Sequence, residues 1–218
     1  MAWLSGAAEA GWAGRAARDG TPRFAAALEA GPEWWARRAG PVLLVPGLLW
    51  DRFPGYFAPA ADFLRSHGRR HVALASGVRG EGTVRQNAAA VRDAALRLAD
   101  EAGEPVTLAG HSKGALDALS ALSSPGGDDV RGATRALLML QAPLQGSPLA
   151  TDLVELRPRL SRGLAAAASP LLWPPAPDPE SLVAAVRDLT YAARREALES
   201  HPLPPSVAAV CFHSEHAG

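Results

Sequence analysis

Gly110-His111-Ser112-Lys113-Gly114 is the run of this chain whose residue types and spacing best suit covalent chemistry. The pattern Gly-x-Ser-x-Gly carries little weight alone: a shuffled chain with the same 21 Gly and 14 Ser contains it about one time in eight. Its context carries the weight. The run follows the apolar stretch Val106–Ala109 and precedes a helix-like stretch with Leu116, Leu119 and Leu122. A serine in a tight strand-to-helix turn needs small flanking residues, because helix and strand pass close to one another. Such a turn holds Oγ clear of the sheet at a helix N-terminus. There, free N–H groups and the helix dipole favour negative charge developing on a substrate oxygen. Ser112 is the expected nucleophile, the alternative being a turn with a bystander serine. A Walker A loop is absent.

A serine nucleophile needs a base for its proton and a carboxylate to orient that base. His67 and His71 have a metal-like spacing, but Gly68 between them breaks a helix, so they read as solvated turn residues. His111 is the variable residue of the serine motif and is expected to point away from the site. His201 precedes Pro202 in a loop. His213, Glu215 and His216 lie just past the last apolar run; Glu215 stands near where an acid is needed, in a tail that is usually frayed. Asp152 reads as a helix-start residue. The acid and base stay unassigned, and no cofactor site or metal-ligand set is visible.

The elements that must position Ser112 follow from the apolar runs. Val42–Val45, Val72–Ala75, Val106–Ala109 and Ala136–Leu140 begin 30, 34 and 30 residues apart and are nearly continuous, as strands covered on both faces are. Between them, Val84, Ala88, Val91, Ala95 and Leu98 form one helical stripe ending near Asp100. Strand–helix alternation at this interval predicts right-handed βαβ crossovers and an α/β fold with a mostly parallel central sheet and flanking helices. The rhythm then breaks. The next strand run, Val207–Phe212, starts 71 residues after Ala136. Helix-like stretches near 149–168 and 180–199, with the Pro-rich run Leu171-Leu172-Trp173-Pro174-Pro175 between, read either as a helical lid or cap insertion or as ordinary surface helices. The expected organisation is an N-terminal helical segment over 1–40, a core over 41–148, the insertion over 149–205, and a last strand over 206–218.

Composition narrows the function classes. The 218 residues are 48% hydrophobic and 20% charged, a globular balance. Lys plus Arg equals Asp plus Glu at 22 each, so no net field draws nucleic acid or an anionic membrane. All the basic residues but Lys113 are arginine. Cys211 alone gives no disulfide framework. The first twenty residues are interrupted by Gly and charge, and no run of about 18 apolar residues exists. A cytoplasmic protein without a transmembrane segment is expected.

Val42-Leu43-Leu44-Val45-Pro46-Gly47-Leu48-Leu49-Trp50, a strand running into a glycine turn, precedes Ser112 by about 65 residues. With it, the chain resembles the α/β-hydrolase family, and within it the bacterial lipase-like serine esterases. Gln141-Ala142-Pro143-Leu144-Gln145-Gly146-Ser147 is similar to that family's Gly-Thr-Pro-His-x-Gly-Ser segment. The resemblance covers residues 41 to about 152. It implies that the backbone N–H groups of Leu48 and Lys113 hold a substrate oxyanion. It departs from the family at Pro46, where His is common, and at Gln141-Ala142, where Gly-Thr is common; neither alters a backbone donor, but both alter the pocket lining. In the family, acid and histidine follow the nucleophile on later strands. Here the sequence stops six residues past Phe212, so a truncated form of a longer hydrolase is the first expectation, the alternatives being a base at an unusual position such as His216 or a loss of catalysis.

The resemblance implies a serine hydrolase cleaving carboxylic esters of small molecules or lipids, with Trp50, Leu171, Leu172 and Trp173 available to line an acyl groove or to pack the core. Two other classes stay open. One is a catalytically impaired hydrolase or non-catalytic acyl-ligand binder; the other is an acyltransferase or thioesterase using the same serine. Oligomeric state is not readable.

Overall fold

The computed structural model describes residues 18–31, 40–156 and 179–213. Five strands, β1 (Val42–Val45), β2 (Val72–Leu74), β3 (Val106–His111), β4 (Thr134–Leu140) and β5 (Ala208–Phe212), form one sheet in the order β2-β1-β3-β4-β5. Every pairing is parallel, with Val45 opposite Gly110 and Leu140 opposite Phe212. The strand-like runs of the sequence therefore all enter one sheet, and β3 and β4 each extend two residues beyond their apolar runs.

Flanking helices are α1 (Thr21–Glu29), α2 (Ala58–Ser66), α3 (Val84–Ala102), α4 (Lys113–Ser123), α5 (Asp128–Gly132), α6 (Pro148–Thr151), α7 (Pro179–Arg187) and α8 (Tyr191–Ser200), with a 3₁₀ turn at Trp50–Arg52. The α3 helix starts where Thr83 accepts from Gln86 N and the Gln86 side chain answers the Thr83 backbone, and it ends at Gly103 in the left-handed region. Its stripe of Val91, Ala95 and Leu98 packs with Leu119 and Leu122 of α4 against Leu43, Val45, Leu108, Leu137 and Met139 of the sheet. Val42, Leu44, Val72 and Ala109 face the other way and are covered by Ala61 and Leu64 of α2 and by Phe57. The central strands β1 and β3 are buried on both faces, which suits their apolar runs, whereas the edge strand β5 is largely exposed. Truncating a fully buried leucine such as Leu108 is expected to cost about 2–5 kcal/mol.

Beyond β4 the structure corrects one expectation. The 180–199 stretch is two helices, because Thr190 breaks the periodicity: its side chain accepts from Ala193 N and caps α8, while the Leu189 carbonyl accepts from Ser147 N. The 149–168 stretch begins as α6 and passes into a π-helical turn at Asp152–Leu156; its remainder, with Leu171, Leu172 and Trp173, lies outside the described residues. In the N-terminal segment, Phe24 of α1 meets Phe212 of β5 edge-on, with ring centroids 5.0 Å apart. No helix among the described residues is long and apolar enough to cross a membrane.

Candidate functional site

Among the described residues, the non-glycine positions with positive φ are Leu49, Ser112 and Gln141. They stand just after β1, β3 and β4, three neighbouring strands, so backbone strain is concentrated at one stretch of the sheet's C-terminal edge. Strain persists only where the surroundings impose it, and it gathers at functional sites.

Ser112 sits between β3 and α4 with φ 53° and ψ −126°, conformational space that L-residues rarely enter. Its amide donates to Leu140 O at 2.9 Å, and its carbonyl accepts from Ala115 N. These two bonds tie the turn to β4 and to the first turn of α4. Cβ atoms cannot be added at the flanking glycines: on Gly114 one would come within 3.0 Å of the Val45 and Pro46 carbonyls, and on Gly110 within 3.0 Å of the Ala115 backbone. The serine is partly exposed. Its side chain has no hydrogen-bond partner among the described residues.

Register brings the β1 turn alongside. Val45 pairs with Gly110, so two residues further on Gly47 faces Ser112, close enough that a Cβ on Gly47 would lie 3.1 Å from Ser112 Cβ. Gly47 also meets the Tyr56 hydroxyl, which accepts from its N–H and contacts His111 Nδ1 at 2.5 Å. Burial pushes the Tyr56 phenol upward, against a smaller pull from the Gly47 N–H, and burial pushes His111 below its ordinary value. The phenol stays protonated and the imidazole neutral, so the hydroxyl donates to Nδ1. His111 thus engages Tyr56, a contact across 55 residues that no local pattern signals. The amides of Leu48 and Lys113, on either side of this junction, have no hydrogen-bond partner among the described residues. Leu49 N–H donates to Gly80 O, and Trp50 Nε1–H donates to Val78 O, so the indole is turned toward the 78–80 loop.

Behind the turn, the Lys113 ammonium is 1% exposed and donates to both Asp117 oxygens at 2.8 and 3.0 Å. Asn87 Nδ2 adds a bond to Asp117 Oδ2 at 2.9 Å. Burial pushes the Asp117 carboxyl up to about 6, against the pull of Lys113 and Asn87. The i, i+4 spacing of the sole lysine and an acid was visible in the sequence; that both would be buried was not.

The other titratable residues separate by edge. His67 caps the C-terminus of α2, and His71 precedes β2, where its carbonyl accepts from Val42 N; both belong to the N-terminal edge of the sheet, opposite Ser112. His201 is the C-cap of α8, seven residues before β5. His213 follows β5 at the same edge as Ser112, two strands away, about 10 Å by strand spacing. Asp152 is exposed where α6 passes into the π-helical turn. Glu215 and His216 lie outside the described residues. Among the described residues no group of three or more His, Cys, Asp or Glu side chains gathers to hold a metal ion.

No family model and no curated protein matches the chain. Solved structures do. A metagenomic carboxyl esterase is 29% identical, with a TM-score of 0.62 over 80% of this chain and 49% of that one. A Bacillus licheniformis lipase in its mature form is 18% identical, with a TM-score of 0.58 over 79% of this chain and 64% of that one. The propeptide form of that lipase is 19% identical, with a TM-score of 0.57 over 79% and 35%. The chain thus spans about half the length of the esterase it matches. Its parallel sheet with helices on both faces is an α/β-hydrolase-like fold.

Proposed function

We propose that this chain carries the nucleophile and oxyanion half of a serine hydrolase acting on carboxylic esters. The observation that carries the reading is Ser112, in a strained, glycine-flanked turn between β3 and α4, partly exposed and facing Gly47 across the junction with β1. In the proposed reaction Ser112 Oγ attacks the ester carbonyl carbon and gives its proton to a base. The carbonyl oxygen becomes an oxyanion held by the Leu48 and Lys113 N–H groups. The tetrahedral species collapses, the alcohol leaves with a proton, and water then cleaves the acyl-enzyme. Each backbone donor is expected to lower the barrier by about 3 kcal/mol.

The likeness to a carboxyl esterase supports ester substrates, either small molecules or lipids. His111 is engaged by Tyr56, and the base and its orienting acid are expected among residues other than those placed against Ser112 here.

The test is direct. A fluorophosphonate probe followed by peptide mass spectrometry is expected to add one phosphonyl group at Ser112 and none to the Ser112→Ala variant. Absence of labelling in the wild type would leave a non-catalytic acyl-ligand binder. Turnover of nitrophenyl esters of rising acyl length separates the ester classes: a collapse beyond short acyl chains removes the lipase version. Product analysis with added alcohol or thioester exposes an acyltransferase or thioesterase.

A further inference from the structure

Two turns carry the proposed oxyanion donors, and they belong to segments more than 60 residues apart: Leu48 follows β1, and Lys113 opens α4. Backbone donors of this kind work only when their separation is fixed before substrate arrives. One continuous run of polar contacts, part-buried at Arg79 and fully buried from Asn87 to Lys113, joins them.

It starts at the β1 turn, where Leu49 N–H donates to Gly80 O and Trp50 Nε1–H donates to Val78 O. The peptide of Arg79, between these two anchors, is gripped from both sides by one side chain. Arg79 N–H donates to Asn87 Oδ1 at 3.1 Å, and Asn87 Nδ2 donates to Arg79 O at 3.0 Å. Asn87 lies on α3 and is 2% exposed. Its Nδ2 also donates to Asp117, which accepts both contacts of the Lys113 ammonium. Lys113 is the residue directly after Ser112. The path therefore runs from Leu49 through Gly80, Arg79, Asn87 and Asp117 to Lys113.

We infer that Asn87, Asp117 and the Lys113 side chain are positioning residues, a buried clasp that holds the Leu48 and Lys113 amides at a fixed distance across Ser112. The inference rests on the ester-hydrolase reading for the task the clasp performs. Stability alone is a weak reason for such an arrangement, since a buried ion pair is often matched or bettered by apolar side chains of similar volume. The composition points the same way. In a chain that uses arginine at every other basic position, the sole lysine is the one whose cation is enclosed at the turn. A compact ammonium fits between the Asp117 oxygens and the helix, where a planar guanidinium is larger.

The experiment pairs hydrogen exchange with phosphonylation kinetics on the full chain. The variants are Lys113→Met combined with Asp117→Leu, which replaces the ion pair by apolar volume, and Asn87→Ser, which keeps the ion pair and cuts its link to Arg79. In either variant, amides of residues 47–52 are expected to exchange at least about tenfold faster, with those of β4 unchanged. The maximal rate of Ser112 phosphonylation is expected to fall about tenfold, while the half-saturating probe concentration stays within about twofold. Unchanged exchange over 47–52 in a folded variant overturns the clasp. So does faster exchange limited to α3 and α4, which is what losing a merely structural pair would produce. If one variant does not fold, the other carries the same expectations. Lack of labelling in the wild type defeats the hydrolase reading instead, and leaves the exchange result to decide the clasp.

Discussion

The carbonyl of Val45 at the end of β1 lies against Gly114 at the start of α4, with no room for a Cβ between them. Helix α4 is thereby pressed onto the sheet at the point where the chain turns through Ser112. Gly114→Ala is expected to push α4 off β1, at a cost of about 3 kcal/mol or more, the upper range for overpacking against backbone. Urea unfolding at neutral pH reads the loss. A variant within about 0.5 kcal/mol of wild type would mean that the turn is softer than the contact implies.

Ser112 adopts its backbone geometry under strain, and strain of this kind is worth about 1–3 kcal/mol. Glycine accepts the same dihedral angles without the Cβ penalty and gives back part of the gain through unfolded-state entropy. Ser112→Gly is expected to raise stability by about 1 kcal/mol while abolishing phosphonylation. Opposite signs for stability and reactivity at one residue identify strain kept for function rather than for folding. Equal or lower stability in the glycine variant removes that claim.

The sheet was legible because each of its strands is a short apolar run, continuous where β1 and β3 are buried on both faces and still apolar at the exposed edge strand β5. Val42–Val45 is read with its observed bounds, and the α3 stripe ends two residues later than expected, at Ala102 before Gly103. The Ser112 turn was legible because close approach demands Gly110 and Gly114. Three features were not. Thr190 caps a helix inside a stretch whose apolar periodicity hides the break. Tyr56 meets His111 from 55 residues away, so only the completed fold brings them together. Leu49 and Gln141 hold positive φ without glycine, so no residue type announces the two strained turns beside Ser112.

Tyr56 joins the two turns from outside the sheet. Its hydroxyl lies between Gly47 N–H and His111 Nδ1, so Tyr56→Phe leaves a buried amide and a half-buried imidazole without it. Leaving such groups unsatisfied is expected to cost about 1–3 kcal/mol. The pH dependence has a definite sign. Burial lowers His111 from the ordinary 6.5, so the unfolded chain takes up a proton before the folded one does. Stability from this group is complete above 6.5 and declines as pH falls below it. His111→Phe is expected to flatten that part of the profile, measured as the midpoint of thermal unfolding between pH 5 and 7.

Asp117 titrates in the opposite sense to the surface carboxylates. Asp129, hydrogen-bonded to Arg92, is lowered, so its contribution is present at neutral pH and is lost on strong acidification. Asp117 is raised from 3.8 to about 6, chiefly by burial. Lys113 and Asn87 oppose that rise. Asp188 of the segment between α7 and α8 adds to it, and Arg194 of α8 feels the charge of both acids. The folded state therefore binds a proton that the unfolded chain releases between pH 3.8 and about 6, so this group favours folding at the acidic end of that window and less as pH rises through it. Asp117→Asn removes the titration but keeps the shape. The difference in unfolding midpoint, wild type minus variant, is expected to grow as pH is lowered from 7 to 4.5. Calorimetry at the two pH values checks it. A difference that shrinks on acidification would show that Lys113 holds the carboxylate charged more strongly than burial opposes it, making the pair an ordinary stabilising ion pair.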